Sequence, residues 1–327
     1  MMRLALQVPN FTYPDVEDGD LFETVAEVAA AAEASGFDTL LVMDHFYQLP
    51  MLGSPDQPMF EAYTLLSALA ARTSSIQLGT LVTGVTYRNP AFLAKVVTNL
   101  DVISRGRAML GIGAAWFDTE HDAFGYDFPP VSDRFEMLEE AIQITQAMFA
   151  DERPTFEGKH FQVRDIINNP KPIRAKIPLM VGGAGEKKTL RMAAQYADHS
   201  NLTCGLDEVP HKLDVLAGHL ADVGRERSEI GVSALNFLIA GDTDDEAFAS
   251  RDELVRGLGM EWDTLDDATR EMLGHRMLVG GPDSIGEQVQ ERILGQGLDA
   301  VVVNIPTGGH LPEVVARSGE ILTKALS

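Results

Sequence analysis

Residues 79–113 read GTLVTGVTYRNPAFLAKVVTNLDVISRGRAMLGIG. The stretch opens inside a segment over 76–82 that reads as a buried strand. Asn89 followed by Pro90 then starts a helix, because the Asn side chain caps free N–H groups and the proline ring presets the helical φ. Leu93, Val96, Val97, Leu100 and Ile103 form its apolar stripe at helical spacing. A second apolar strand spans 108–112 and ends in Gly113-Ala114-Ala115. Two parallel strands joined by a helix bring their C-terminal ends to one side of a sheet, the side on which parallel α/β folds bind ligands.

The alternation continues in both directions. Further strands are expected at 4–8, 39–43, 177–181, 199–202, within 231–239, and at 300–304. Helices are expected at 21–35, 60–73, 134–149, 283–294 and 311–326, with a short one after Gly185. Asp20 and Glu23 read as a capping box for the first helix. Residues 154–163 read as a hairpin turning at Glu157-Gly158-Lys159. The helical stretch 244–274 exceeds what one barrel helix needs and reads as a lid or outer insertion. Eight strands with intervening helices and no linker predict one α/β domain over 1–327, a (β/α)8 TIM barrel with insertions after strands 4 and 7. A doubly wound open sheet is the second choice, and no G-x-G-x-x-G follows the first strand to support it.

The 327 residues are 45% hydrophobic, enough for a large core, and carry a net charge of −23. That charge argues against nucleic acid and anionic membranes as partners. No apolar run is long enough for a membrane span, and a strand begins almost at once, where a signal peptide would stand. Cys204 is the only cysteine, which fits a reducing cytoplasm.

The candidate chemistry lies at the C-terminal ends of the strands. Asp44-His45-Phe46 follows strand two, where a histidine can bond or protonate a ligand near neutral pH. Gly182-Gly183-Ala184-Gly185 follows strand five and opens a helix bearing Lys187, Lys188 and Arg191, a setting that favours an anion. Gly113-Ala114-Ala115-Trp116 suits a flat aromatic ligand or, alternatively, tight packing. Glu120 is either a second proton-bearing group or a partner of Arg134 that pins its loop. His121, His160 and His310 have no role that spacing assigns, and no metal-ligand spacing, G-x-S-x-G or Walker sequence occurs.

Several fragments combine into a resemblance. They are Gly36-Phe37-Asp38 with Asp44-His45-Phe46, Leu78-Gly79-Thr80 with Tyr87-Arg88-Asn89-Pro90-Ala91, and Leu100-Asp101 with Ser104-Arg105-Gly106-Arg107 and Gly111-Ile112-Gly113. Gly158-Lys159-His160-Phe161, Pro170-Lys171-Pro172, Ile177-Pro178-Leu179, Gly182-Gly183 and Ala197-Asp198 complete the set. In this order they resemble the bacterial luciferase-like superfamily and, within it, the oxidoreductases that use the deazaflavin coenzyme F420.

The resemblance implies a barrel that holds a flavin or deazaflavin at its C-terminal mouth. It places Asp44 and His45 at the reactive face of the ring. His45 is then the expected catalytic group, and Glu120 on the loop nearby is the reserve proton donor. It implies a bulge with a non-prolyl cis peptide at Leu81-Val82, with Thr83 next, behind the ring. Gly113, Ala114 and Ala115 would line the ring or its ribityl chain. Gly182, Gly183, Ala184 and Gly185 would hold the phosphate, and Asn201 joins the cofactor set. Trp116 stands where the sugar-phosphate-oxidising members carry a glutamate, so glucose-6-phosphate dehydrogenase activity is not expected. The implied activity is hydride transfer between F420 and a small organic substrate. An FMN-dependent monooxygenase and a non-catalytic flavin-binding relative are the alternatives. Such barrels pair, so a homodimer is expected, with Leu65, Leu66, Leu69 and Val97 as candidate interface positions.

Overall fold

The computed structural model describes residues 2–327. The eight barrel strands are β1 (Leu4–Val8), β2 (Thr39–Val42), β3 (Gln77–Thr80), β4 (Ala108–Gly113), β5 (Leu179–Gly182), β6 (His199–Leu202), β7 (Gly231–Ala240) and β8 (Ala300–Asn304). Each pairs in parallel with its neighbours, and β1 returns to β8 through Leu4↔Val301 and Ala5↔Val302. The ring is therefore closed, with helices on its outer face, as in a (β/α)8 barrel.

Side chains alternate along each strand, so every second residue points into the barrel. Ala5, Leu41, Met109, Met180, Ala300 and Val302 fill that interior, and the half-buried Leu81 and Val82 pack onto it from above. The opposite strand faces meet the helices in a larger core that includes Leu40, Leu66, Leu93, Leu110 and Val301. A strand buried on both faces has to be largely apolar, and β1, β2 and β4 are buried along their whole length with Gln7 and Thr39 as their polar members.

Local chemistry sets the helix ends. Asn89 Oδ1 accepts from Ala91 N at 2.9 Å and starts helix Pro90–Ile103. Asp20 makes no such bond at helix Leu21–Ala34, and Glu23 turns away to a bidentate pair with Arg72 at 2.8 Å. The expected capping box is absent because the arginine outcompetes a backbone amide for that carboxylate. The positions proposed for pairing also differ: Leu65, Leu66, Leu69 and Val97 are all 2% exposed or less, facing the barrel. The apolar side chains left outside on helix Pro90–Ile103 are Phe92 and Ile103.

The expected hairpin forms from Phe156–Glu157 and Gln162–Val163 and is closed by Gly158 N to Phe161 O at 2.9 Å. The long helical stretch is two helices, Asp244–Gly257 and Asp267–Gly274. A strand follows, Met277–Gly280, and pairs with the far end of β7 at Phe237↔Met277. A short helix at Asp118–Phe124 occupies what reads as a loop.

Candidate active site

The mouth is built from the loops at the C-terminal ends of the strands. Its floor follows β3, where the Leu81–Val82 peptide is cis, at the position the resemblance implies. Val82 lies against two glycines. A Cβ on Gly113 would sit 2.9 Å from Val82 Cγ2, and one on Gly182 would sit 2.8 Å from Val82 Cγ1. Neither position tolerates a side chain without moving the floor. Thr83 is sealed beneath, its hydroxyl bonded to Tyr63 Oη at 2.7 Å and Thr80 Oγ1 at 3.0 Å. Its hydroxyl supports the bulge from below and does not line the mouth.

Asp44 and His45 separate into different surroundings although they are adjacent in sequence. Asp44 is 1% exposed and both of its oxygens face Arg88, at 2.6 and 2.9 Å. Burial pushes its carboxyl up against the opposing pull of the guanidinium. Arg88 also bonds Glu61 and lies over the Tyr63 ring at 4.9 Å. Asp44 therefore anchors the loop after β2 to the start of helix Pro90–Ile103, and its carboxylate is used inside the protein.

His45 turns the other way. Its Nδ1 is 2.8 Å from Glu120 Oε2, while Nε2 has no protein partner and is not sealed from solvent. Trp116 and Phe117 stand edge-on to the imidazole with centroids at 5.9 Å. Trp116 is 56% exposed, so a large apolar wall flanks the imidazole.

Glu120 lies behind His45 and is 0% exposed. Four donors surround its carboxylate: Tyr87 Oη at 2.5 Å, His45 Nδ1 at 2.8 Å, Tyr47 N at 2.8 Å and Phe46 N. Burial pushes this carboxyl up, but the bonds from His45, Tyr87 and the backbone outweigh it and hold it below the usual carboxylate range. A carboxylate with its acceptor sites filled has no proton to give, so the expected role as reserve donor does not fit its surroundings. The alternative pairing with Arg134 is also absent. Arg134 donates instead to Ala115 O at 2.5 Å and stacks on Phe128 at 3.9 Å. That contact fixes the loop after β4, where Ala115 adopts φ 58°.

His121 is buried, with Nδ1 on Phe117 O at 2.8 Å and Nε2 on Thr86 Oγ1 at 2.6 Å, and serves the packing of this loop. His160 pairs with Glu136 at 2.9 Å on the hairpin side, and His310 stacks on Tyr13 at 5.2 Å.

Residues 182–185 form the far rim of the mouth. Gly183 adopts φ 128° and donates to Asn201 O at 2.9 Å. Among the described residues, the amides of Ala184, Gly185, Glu186 and Lys187 have no protein acceptor. Four free N–H groups ahead of helix Thr189–Tyr196 make an anion-friendly turn. Lys187, Lys188 and Arg191 are exposed on the same helix end and form no ion pair among the described residues. Asn201 pairs with Gly182 across β5 and β6, and its Oδ1 is buried without a partner. Asn304, on β8, has the same orphaned Oδ1, with Nδ2 3.4 Å from Gln7 Oε1.

The structure thus brings His45, Leu81, Val82, Gly113, Gly182 and Asn201 to one mouth and sets Asp44, Thr83 and Glu120 behind it. Tyr87, Arg88 and Asn304 are additions that spacing did not single out. Among the described residues no three His, Cys, Asp or Glu side chains converge as a metal site requires, and no helix is long and apolar enough to cross a membrane.

The chain is 34% identical to an F420-dependent glucose-6-phosphate dehydrogenase of Microbacterium testaceum over 203 residues, 61% of this chain and 59% of that protein. It is 29% identical to the pyrimidine monooxygenase RutA of Pseudomonas savastanoi over 296 residues, 88% of this chain and 76% of that protein. This chain thus spans little more than half the length of the dehydrogenases of this kind that it matches, 59% and 52% for two of them. The coenzyme F420-dependent tetrahydromethanopterin reductase of Methanopyrus kandleri has the same fold, with a TM-score of 0.80 at 18% identity over 100% of this chain and 99% of that one. The sequence profile of luciferase-like monooxygenases matches residues 2–299, and the chain belongs to that family.

Proposed function

We propose that this protein is an oxidoreductase that uses coenzyme F420 to exchange hydride with a small, uncharged organic substrate. The observation that carries the reading is the mouth itself, where the loop after β2 holds an imidazole with one nitrogen free of protein partners and the floor after β3 is Val82 against two glycines that admit no side chain. The groups present suit a tricyclic ring with a phosphorylated tail. Leu81, Val82 and Gly113 would lie behind the ring, Ala114 and Ala115 beside it, and Asn201 Oδ1 is a ready acceptor for a ring N–H. The turn over 182–185 would take the phosphate on its free amides, with Lys187, Lys188 and Arg191 beyond it for further anionic groups. When bound, the deazaflavin supplies hydride chemistry that reacts poorly with oxygen.

The chain's own part is positional and protic. His45 holds or accepts a proton at Nε2, within reach of a substrate resting on Trp116. Trp116 offers no carboxyl proton and no charge for a sugar phosphate, which favours an apolar or aromatic substrate. The resemblance to a pyrimidine monooxygenase over 88% of the chain keeps FMN with oxygen as the second reading. We further propose a homodimer that uses the exposed Phe92 and Ile103 face, and a reducing cytoplasm as the setting for the unpaired, buried Cys204.

Titration of the purified protein with F420 and with FMN tests the choice. F420 is expected to bind at least about tenfold more tightly, a difference of about 1.4 kcal/mol. Replacing Lys188 and Arg191 by Glu is expected to weaken F420 binding, more so at low salt. Equal or tighter FMN binding overturns the assignment, and oxygen uptake with a reduced flavin would then support the monooxygenase.

A further inference from the structure

We infer that Glu120 fixes which nitrogen of His45 carries the proton, so that Nε2 alone serves as the proton port of the mouth. The role is positional and rests on the reading of His45 given above.

The geometry leaves little choice. An ionised carboxylate only accepts hydrogen bonds, so the 2.8 Å contact from Glu120 Oε2 requires a proton on His45 Nδ1. Neutral His45 then carries its lone pair on Nε2, which has no protein partner and is open to the mouth. A free imidazole prefers the opposite tautomer, so the environment must impose this one. Glu120 is itself immobilised. Tyr47 N and Phe46 N take Oε1, and Tyr87 Oη shares Oε2 with the imidazole. Burial raises the Tyr87 phenol well above its ordinary range, with the Glu120 bond adding to it, so Tyr87 stays protonated and donates to Oε2 beside the imidazole. The other charged groups nearby are occupied elsewhere: Asp44 by Arg88, and His121 by Phe117 O and Thr86. Proton bookkeeping is then simple. As a substrate O–H bond breaks, an N–H bond forms at Nε2, and the imidazolium sits beside a carboxylate already ionised. In the reverse direction the same N–H bond breaks and Nδ1 keeps its proton throughout.

Glu120→Gln reverses the arrangement. The side-chain carbonyl is needed by the Tyr47 and Phe46 amides, so the NH2 group faces His45 and Nδ1 must accept. The proton moves to Nε2, and the port loses its lone pair.

The test is the histidine ring region of two-bond proton–nitrogen NMR spectra, with His45 assigned by its loss in His45→Gln. Wild-type protein without cofactor is expected to show neutral His45 as the Nδ1–H tautomer, and Glu120→Gln as the Nε2–H tautomer. With cofactor and substrate, Glu120→Gln is expected to lose about 100-fold in kcat with cofactor affinity within about threefold, and Glu120→Asp to recover most of it. A wild-type His45 in the Nε2–H form overturns the inference, and this result needs no variant to fold. An unchanged tautomer in a folded Glu120→Gln protein overturns it equally. Because the spectra are taken without cofactor, they stand whichever way the F420 titration falls.

Discussion

His45 has one nitrogen committed to the protein and one committed to the mouth, and this asymmetry defines what its loss should do. His45→Ala removes the group at Nε2 but none of the contacts that line the floor or the phosphate turn. Cofactor affinity should stay within a few-fold, while turnover of reduced cofactor with a working substrate falls about 100-fold or more. Stopped-flow oxidation beside a binding titration separates the two, and wild-type turnover in His45→Ala would make the residue structural. At this scale the sequence is informative about position and poor about partners. That Asp44 and His45 follow β2 is readable from the apolar run ahead of them. That Arg88 takes Asp44 across 44 residues, and Glu120 takes His45 across 75, is settled by how the strands close into a ring, and no local pattern carries it.

Among the elements, the hairpin of Phe156–Glu157 and Gln162–Val163 is the one held most visibly from outside. Two residues per strand give almost no ladder of their own. Glu140, on helix Val131–Ala150, accepts from Lys159 N at 2.7 Å, His160 N at 3.0 Å and Phe161 N at 2.8 Å, occupying the turn's own amides. Glu136 adds Lys159 Nζ at 2.6 Å and His160 Nε2 at 2.9 Å. Glu140→Ala should release the hairpin locally, at a cost of about 1–3 kcal/mol. Hydrogen exchange over 156–163 should accelerate while the barrel strands keep their protection, and unchanged exchange there would show the hairpin to be self-supporting. The turn residues Glu157-Gly158-Lys159 announced this hairpin. The strands β1 and β8 were equally legible, since short, largely apolar runs leave few alternatives. Helix Asp118–Phe124 was not, because its seven residues have no side-chain cap bond and bury only Glu120 and His121, so no apolar stripe exists to be seen. Strand Met277–Gly280 was missed for a related reason: four residues following a helix give no period to count.

For the molecule as a whole, the barrel floor sets a dependence on pH. His199 is 2% exposed, its Nε2 lies 2.8 Å from Ser233 Oγ, and burial lowers its pKa from 6.5 to about 3. Between those values the unfolded chain binds a proton that the native protein refuses, so stability falls as pH falls through that window. From about pH 6.5 to about pH 5 the loss should be about 2 kcal/mol. Urea unfolding at both pH values measures it, and His199→Asn should flatten the slope. A slope unchanged by that substitution would place the dependence elsewhere. The closed ring matters to solubility as well, because every barrel strand has two partners and none offers an edge to another chain. Closure itself was foreseeable from eight alternations, whereas the direction each loop takes at the mouth was not, since loops carry no period.

β7 runs on past the barrel to Ala240, and the chain comes back beside it at Met277–Gly280. Gly241 N meets Gly280 O at 3.1 Å, and Asp244 receives Gly281 N at 2.6 Å, so departure and return are stapled together. The segment between them is held back onto the molecule at few other points, among them Leu206 N, which donates to His275 O at 3.0 Å, and Arg292, which donates to Gly274 O at 2.6 Å. The segment's length enters the folding balance only logarithmically, about 0.6 kcal/mol per doubling. Shortening or exchanging the exposed part of this segment is therefore expected to leave the strands beneath in register.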